Sequence, residues 1–322
     1  MRTDGKAQTA YCCMNTLVSH TVYGKHAERA LRMAQCETRR LESRMSRFIA
    51  GSDIHRLNSA AGVEPVKMHR DVFAVLEAGI LHARQTDGRF DITVNPLARL
   101  WEAGSAQPTV QEIDDARELV GFQKLLLHRK GRKAYLPKAG QCVDLGGIGK
   151  GYAADRMLDV FRRCGVRSAF TNFGGNVAVL GSKPDGSPWK IGIRHPLRAD
   201  RILGILSVAD QSVVTSGDDQ RAVVTPDGKH RSHIIDPLSG MPANAGLLSV
   251  TVVSPSSTLA DALATALYAA GMRQGLQILK RYPGTQAVFI DCDASVFLTG
   301  GLERCFEAAQ GTQTTVFREE TI

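Results

Sequence analysis

The chain of 322 residues is 43% hydrophobic and 22% charged, and it carries a formal net charge of +8. This composition is typical of a globular protein and excludes a disordered chain, and no apolar run approaches the roughly 20 residues of a membrane-spanning helix. The excess of Lys and Arg suits a polyanionic ligand, but the basic clusters lack interleaved aromatic residues. We therefore interpret these clusters as solvated faces rather than as a nucleic-acid interface.

The N-terminus and the cysteines predict the cellular location. Residues 1–13 lack the apolar segment of about 7 to 15 residues that a secretory signal contains. The seven cysteines are an odd number without metal-like spacing, which fits a reducing compartment. We expect a cytoplasmic protein with a disordered tail over residues 1–13 and a single domain over residues 14–322. A leader trimmed from the sequence stays an open alternative.

Hydrophobic periodicity predicts several helices and a hairpin in the first half of the chain. The helices are expected over residues 26–48, 71–86, 110–119 and 151–164. Between the second and third helices, residues 87–97 predict a turn followed by a strand. Residues 124–136 predict a hairpin around Lys130-Gly131.

Strands dominate the second half, because β-branched runs alternate there with Pro and Gly loops. The predicted strands cover residues 168–172, 176–180, 189–193, 202–208, 213–215 and 248–253. Helices over residues 259–270 and 274–281 and a hairpin over residues 286–299 follow. Since the strands come in runs, the predicted fold class is α+β, with mixed or antiparallel sheets and packed helices.

A glycine-rich turn, VDLGGIGKGY at residues 143–152, opens directly into a predicted helix. Glycines let a backbone approach a ligand closely, N–H groups at a helix start point at anions, and Lys150 adds a positive charge. The segment lacks the spacing of a Walker motif. It is interpreted either as a phosphate cradle or as a structural turn.

Two other regions carry polar groups that suit chemistry. Residues 215–221 and 233–240 hold hydroxyls, an arginine, a histidine and carboxylates, which suits acid–base groups beside an anion clamp. Asp261 and Thr265 are four residues apart and share one face of a predicted helix. Their oxygens suit Mg²⁺, although Asp261 near a helix start also fits a capping role.

The order of these segments resembles that of a known family. Seven motifs along residues 14–271 are similar to those of the FAD:protein FMN transferases, the ApbE flavin transferases. The motifs are MSRFIAGSDIHRLN, GRFDITVNPLARLW, VDLGGIGKGYAAD, FTNFGGNVAVLG, TSGDDQR, HIIDPLSGMP and ADALATALYAAG. The resemblance implies an ApbE-like fold with two intimately associated lobes.

The resemblance also implies the residues of the site. A Mg²⁺ ion would be held by Asp261, Thr265 and the backbone carbonyl of Gly147, with Ala264 adjacent. His233 matches the family histidine of the transfer chemistry, and Asp236 is assigned as its orienting partner. The implied flavin-binding residues, with Arg221 as an anion clamp, are Met14, Phe48, Arg89, Phe90, Asp91, Asp144, Lys150, Ile235 and Arg221.

The chain departs from the family pattern at four positions. Asn15 replaces a glycine, Gly147 and Gly149 stand where alanines are common, and Asp219 stands where an aromatic residue is expected. A backbone-carbonyl ligand is unchanged by an Ala-to-Gly replacement. Asp219 instead removes a stacking partner and adds negative charge beside a pyrophosphate, so it bears on affinity and nucleotide preference.

The implied activity is Mg²⁺-dependent transfer of FMN from its substrate FAD to a Ser or Thr of an acceptor flavoprotein, through a phosphoester and with release of AMP. Neither a nucleic acid nor a membrane anchor is expected as a partner. The alternatives are an FAD pyrophosphatase that yields FMN and AMP, and a non-catalytic FAD-binding protein. A basic nucleic-acid-binding protein is a third, for which the sequence offers no reader motif.

Overall fold

The computed structural model describes residues 5–102, 107–217, 223–224 and 230–318. Within these ranges the α-helices are α1 (Ala27–Met45), α2 (Asp53–Ser59), α3 (Arg70–Gln85), α4 (Asn95–Glu102), α5 (Val110–Arg117), α6 (Gly149–Arg163) and α7 (Ser257–Leu279). None of these helices is both long and apolar enough to cross a membrane.

The strands of the described residues form one large sheet and three small ones. In chain order they are β1 (Lys6–Cys13), β2 (Thr16–Tyr23), β3 (Val66–Lys67), β4 (Leu126–His128), β5 (Lys133–Tyr135), β6 (Ser168–Phe173), β7 (Asn176–Leu180), β8 (Trp189–His195), β9 (Arg198–Val208), β10 (Ser212–Gly217), β11 (Val223–Val224), β12 (His230–Arg231), β13 (Leu247–Ser254), β14 (Gln286–Asp291), β15 (Val296–Thr299), β16 (Phe306–Ala308) and β17 (Thr314–Phe317).

The large sheet has nine strands in the order β1-β2-β6-β7-β10-β13-β14-β15-β17. Its neighbouring strands are antiparallel except β15 and β17, which run parallel. The small sheets have the orders β16-β9-β8, β3-β5-β4 and β11-β12. These mixed and antiparallel sheets with packed helices confirm the predicted α+β class.

Apolar side chains pack on both faces of the large sheet. On one face, α1 and α6 cover β2 and β6, α7 covers β10, β13 and β14, and α3 packs against α1 and α7. On the other face, β8 and β9 cover a second apolar layer that includes Val213 and Ile290. The α6 and α7 helices are therefore neighbours on one side of the sheet, and the candidate site lies at their contact.

Asp155 of α6 joins these two helices. Its carboxylate accepts hydrogen bonds from the backbone N–H groups of Ser257 (2.8 Å) and Thr258 (2.9 Å) at the start of α7. The hydroxyls of Ser256 (3.2 Å) and Thr258 (2.6 Å) also donate to it. Because these bonds satisfy N–H groups that a helix start leaves unpaired, Asp155 fixes where α7 begins relative to α6.

Most predicted helices are confirmed with small shifts at their ends. The α1 and α3 helices match the predicted segments 26–48 and 71–86 closely. The two C-terminal helices are the halves of α7, which Gly271 interrupts with a φ of 74°. The α6 helix begins at Gly149, two residues before the predicted start.

The expected disordered tail is wrong for residues 6–13. These residues form β1, which pairs with β2 over its full length and buries the side chains of Ala7 and Cys13. Residues 1–4 lie outside the described ranges. A strand forms here because β2 is itself paired with β6, so β1 extends an existing sheet.

The prediction of a strand after the turn at residues 87–97 is also wrong. The Asp91 carboxylate accepts hydrogen bonds from the Thr93 backbone N–H and hydroxyl, both at 2.7 Å, and these local bonds replace a strand ladder. The α4 helix then begins at Asn95-Pro96, and proline is favoured at a helix start because its fixed φ suits the first turn.

Candidate functional site

The glycine-rich turn leads into α6 and is held by two charged residues. One oxygen of the Asp144 carboxylate accepts the Gly146 backbone N–H at 2.6 Å, and the other lies 2.6 Å from Nε of Arg47. The Lys150 ammonium donates to the Gly146 carbonyl at 2.8 Å. Lys150 therefore folds back over the turn, beside the N-terminal end of α6.

The Gly147 backbone lies against two side chains from other segments. A Cβ at this position would lie 3.1 Å from the ring of Phe90 and 3.4 Å from the hydroxyl oxygen of Thr265. Glycine permits this approach, because a side chain would fill the space between the turn and α7. The turn, the Phe90 ring and the Thr265 hydroxyl thus lie together.

Asp261 is a buried carboxylate at the contact between α6 and α7, with 3% of its surface exposed. Its Oδ2 accepts the Gly151 backbone N–H at 2.8 Å, and its Oδ1 lies 4.0 Å from the Lys150 ammonium. Burial raises the pKa of this carboxyl, while Lys150, the Gly151 N–H and Asn176 oppose the rise. A buried carboxylate that faces one cation at this distance is a suitable ligand for a second cation.

The Thr265 hydroxyl lies one turn further along α7. It is 3.3 Å from the Asp261 carbonyl and 3.3 Å from the hydroxyl of Ser216, the second-last residue of β10. Gly147, Asp261 and Thr265 therefore lie at one contact between the turn and α7, and we refer to the oxygen atoms that these residues carry as the cluster of oxygen atoms. The fourth candidate, Ala264, has a fully buried side chain in the core, so only its backbone carbonyl carries a donor atom.

This cluster fits a hard cation better than a transition metal. Its donors are a carboxylate, a hydroxyl and a backbone carbonyl, which Mg²⁺ prefers when it shares its coordination shell with phosphates. In the part of the chain that the structure describes, no three His, Cys, Asp or Glu side chains group together as a metal site. A Mg²⁺ ion at this position would need ligands from its substrate.

Arg89 connects the turn before Phe90 with the loop that contains His233. Its guanidinium donates to the Asp236 carboxylate at 2.9 Å and to the Gln274 side chain at 2.7 Å. The other Asp236 oxygen accepts the Leu238 backbone N–H at 3.2 Å. Asp236 thus stabilises its own loop through Arg89, and its role as the orienting partner of His233 stays a prediction.

His233 and Ile235 belong to that loop and lie in different environments. His233 is exposed, two residues from a bridge in which Ile235 pairs with Pro242. Ile235 is buried, so it contacts the small cluster around Leu97 rather than solvent. Arg221 and Asp219 lie outside the described residues.

The Asp91 carboxylate is held by hydrogen bonds from neighbouring segments of the chain. Besides its bonds to Thr93, its carboxylate accepts the Phe122 backbone N–H at 2.7 Å, and burial raises its pKa. It lines a cavity of about 760 Å³ with Gly88 and Leu238, and none of Gly147, Asp261 and Thr265 lines that cavity. The flavin contact assigned to Asp91 stays a prediction.

Met14 lies against the glycine-rich turn, and Phe48 is connected to this turn through Arg47. Met14 is at the tip of the β1–β2 hairpin, and its terminal methyl group would contact a Cβ on Gly149 at 3.8 Å. The Phe48 ring is 74% exposed and is covered on one face by the Arg47 guanidinium, 4.1 Å from the ring centroid. Arg47 therefore connects this exposed ring to Asp144.

The structure explains the departure at Asn15. Met14 and Asn15 have φ values of 53° and 56°, in the left-handed region that a two-residue hairpin turn requires. Asn tolerates this region better than most residues, so it can replace glycine here. The backbone of the turn is therefore preserved.

The family assignment follows from comparisons with known proteins. The sequence model of the ApbE family matches residues 14–289. An FAD:protein FMN transferase of Klebsiella pneumoniae is 34% identical over 254 residues, which are 78% of this chain and 78% of that protein. One of Treponema pallidum is 34% identical over 269 residues, which are 78% of this chain and 74% of the relative. The chain belongs to the ApbE family.

Solved structures of the family agree with this assignment. The ApbE protein of Thermotoga maritima superimposes with a TM-score of 0.86 at 27% identity, over 94% of this chain and 99% of the other. The apo form of the Pseudomonas stutzeri flavinyl transferase ApbE gives 0.84 at 28% identity, over 96% and 99%. As a member of this family the chain is a transferase.

Three polar residues at the ApbE site were not assigned from the sequence. Arg47 and Asp155 lie inside two quoted motifs, MSRF and GKGYAAD, so their position in the motifs was the available indication. Ser216 lies in the TSG segment. Each contacts a part of the site that the motifs did identify. Arg47 pairs with Asp144, Asp155 holds the start of α7, which carries Asp261, and the Ser216 hydroxyl lies beside that of Thr265.

Gly151 is expected to be intolerant of substitution because α6 and α7 touch there. A Cβ at Gly151 would lie 2.2 Å from the Ser257 carbonyl oxygen and 2.8 Å from Cβ of Asp261. Gly151→Ala should lower the free energy of unfolding by about 1–3 kcal/mol, measured by urea denaturation, because the helices must separate.

Gly149→Ala is the matched control in the same helix. The nearest atom to a Cβ at Gly149 is 3.6 Å away, so this replacement should be neutral or slightly stabilising. Equal stability of the two variants would show that the α6–α7 contact is not as close as described.

Proposed function

We propose that this chain is a Mg²⁺-dependent FAD:protein FMN transferase. It would cleave the pyrophosphate of FAD, attach FMN through a phosphoester to a Ser or Thr of an acceptor flavoprotein, and release AMP. The main support is the cluster of Gly147, Asp261 and Thr265 beside Lys150, in a chain whose curated relatives are named FAD:protein FMN transferases. The acceptor itself is defined only by its hydroxyl group.

The cluster of oxygen atoms is proposed to hold the ion. Asp261 would supply the charged ligand, Thr265 its hydroxyl, and Gly147 its carbonyl, with the carbonyl of Ala264 as a further candidate. When bound, Mg²⁺ would neutralise charge on the pyrophosphate and stabilise the leaving AMP. The raised pKa of Asp261 supports this assignment, since burial makes an unpaired negative charge costly there.

The N-terminal end of α6 is proposed to bind the pyrophosphate. The helix dipole favours an anion at this end, and the Lys150 ammonium is available beside it. Lys150 donates to the Gly146 carbonyl, which is a neutral partner that a phosphate oxygen can displace. Phe48 is proposed to stack on a ring of the nucleotide, because its outer face is exposed.

His233 is proposed as the general base. The acceptor hydroxyl oxygen forms a bond to the phosphorus of the FMN half, and the bond from this phosphorus to the bridging oxygen breaks. AMP leaves with the bridging oxygen and its electron pair, and His233 accepts the hydroxyl proton. An exposed histidine suits this role, since the hydroxyl arrives on another protein.

The cytoplasmic location expected from the sequence stays a prediction. If it holds, the acceptor is a protein or domain that is made on the same side of the membrane.

Product analysis tests the proposal. The protein is incubated with FAD and Mg²⁺, with and without an acceptor domain, and AMP, FMN and FAD are separated by chromatography. We expect AMP to form only with the acceptor and without an equal amount of free FMN. Free FMN without an acceptor would indicate a pyrophosphatase, and intact FAD under both conditions a carrier; either result contradicts the proposal.

A further inference from the structure

A second cavity, of about 340 Å³, lies away from the ApbE site. It is a depression open to solvent, and it is bordered by the end of α1, by α2 and β3, by the start of α3 and by the turn between β4 and β5. Its charged lining residues are Arg44, Asp53, Arg56, Lys67, Arg70 and Arg132. Since none of Lys150, Asp261 and Thr265 lines it, this basic cavity is separate from the proposed catalytic cluster.

Positive charge in the basic cavity exceeds negative charge. Four arginines and one lysine face a single carboxylate, that of Asp53, and His69 adds an imidazole to the wall. Cations that repel one another are not expected to converge on a cavity unless an anion compensates them. The cavity therefore carries a charge that the described residues do not balance.

Asp53 positions two of the arginines. The Asp53 side chain is 1% exposed. Its carboxylate accepts a hydrogen bond from Arg56 Nη2 at 2.8 Å and lies 3.5 Å from Arg44 Nη1. Its other oxygen accepts the backbone N–H of His69. The carboxylate is thus occupied by the wall of the cavity, and it holds Arg44 and Arg56 in place instead of neutralising the remaining cations.

The other cations are available to a ligand. Neither the Lys67 ammonium nor the Arg132 guanidinium makes a hydrogen bond or ion pair with any residue that the structure describes. The Arg70 side chain is 71% exposed and only 4.0 Å from Asp71, whose carboxylate is bound by Arg40 and Tyr152. These three residues approach the cavity from β3, α3 and the β4–β5 turn.

We propose that the basic cavity binds a small phosphate-bearing anion. Guanidinium groups match the oxygen geometry of phosphate, and several can contact one phosphate group at once. A concave site of this size admits a phosphate or a nucleotide phosphate, whereas a nucleic-acid surface would extend the cations along an open face with aromatic residues. This proposal does not depend on the proposed transferase activity.

Isothermal titration calorimetry of the full chain at low ionic strength tests it, with inorganic pyrophosphate as the probe and metal removed by EDTA. Because a pyrophosphate is also proposed to bind at the start of α6, binding at the basic cavity is the part that persists in Lys150→Gln. In Arg132→Gln and in Lys67→Gln the Kd should rise at least about tenfold, because each variant loses a charge-assisted contact. Since both side chains are without described partners, thermal unfolding of the variants should match that of the wild type. Parallel titrations with inorganic phosphate and AMP distinguish a free phosphate from a nucleotide as the source.

Lys130→Gln is the matched control. It removes the same charge from the same β4–β5 turn, but Lys130 does not line the cavity, so its Kd should stay within about twofold of the wild type. Absence of binding by the wild type, or equal weakening in Arg132→Gln and Lys130→Gln, would overturn the proposal.

Discussion

Asp261→Asn is expected to lower the rate of FMN transfer at least about 10³-fold, because it removes the only carboxylate assigned to the metal. The same variant should be more stable than the wild type in metal-free buffer at neutral pH. Burial raises the pKa of Asp261 above its ordinary value of 3.8, so the folded chain holds this ionised group at a cost.

The sign of the pH dependence follows from this shift. Between pH 3.8 and the raised pKa of the folded state, the folded chain binds more protons than the unfolded chain. The free energy of unfolding of the wild type therefore falls as the pH rises through this window, relative to a variant without the carboxyl. Urea denaturation at roughly pH 4 to 8 should show that the stability advantage of Asp261→Asn grows with pH.

Magnesium adds a second readout. The ion should raise the Tm of the wild type and not that of Asp261→Asn, since a ligand stabilises only the state that binds it. Asp159→Asn, on the exposed face of α6, is the control and should retain both activity and the response to Mg²⁺. Retention of Mg²⁺-dependent transfer by Asp261→Asn would remove Asp261 from the metal site.

His233→Ala is expected to lower the rate of transfer by about 10²–10⁴-fold while FAD binding is retained. The reason is that the acceptor hydroxyl loses its proton acceptor, whereas the groups proposed to bind the pyrophosphate are unchanged. Single-turnover transfer rates and FAD affinity by fluorescence separate the two effects.

His128→Ala provides the comparison for that variant. His128 is an exposed histidine on β4, in the small sheet β3-β5-β4, and its replacement should leave the transfer rate unchanged. A His233→Ala variant that transfers FMN at the wild-type rate would exclude His233 as the base, and equal losses of FAD affinity and rate would indicate a binding role.

The helices were predictable because their pattern is local. Buried residues of α1 recur every three or four positions, including Ala27, Leu31 and Ala34, and this period is visible without any partner. The strand β1 was missed because its stability comes from pairing with β2, whose other partner, β6, lies about 150 residues later in the chain. Non-local pairing leaves little trace in a short window.

The candidate site was predictable as a set of motifs but not as a geometry. The contact of Gly147 with Phe90 and Thr265 joins residues from three distant segments, so only the fold brings them together. Asp91 also lies in a motif that implied a ligand contact, and its carboxylate accepts hydrogen bonds from Thr93 and Phe122, so the implied contact stays a prediction. A residue type inside a motif does not by itself separate a binding role from a structural one.

Transfer of FMN to a protein is tested most directly by the mass of an acceptor domain after incubation with this protein, FAD and Mg²⁺. The acceptor should gain the mass of one FMN less one water, on a Ser or Thr, with one AMP released for each modified acceptor. An acceptor of unchanged mass after FAD has been consumed, or after incubation of a chain that binds FAD and Mg²⁺, would contradict it.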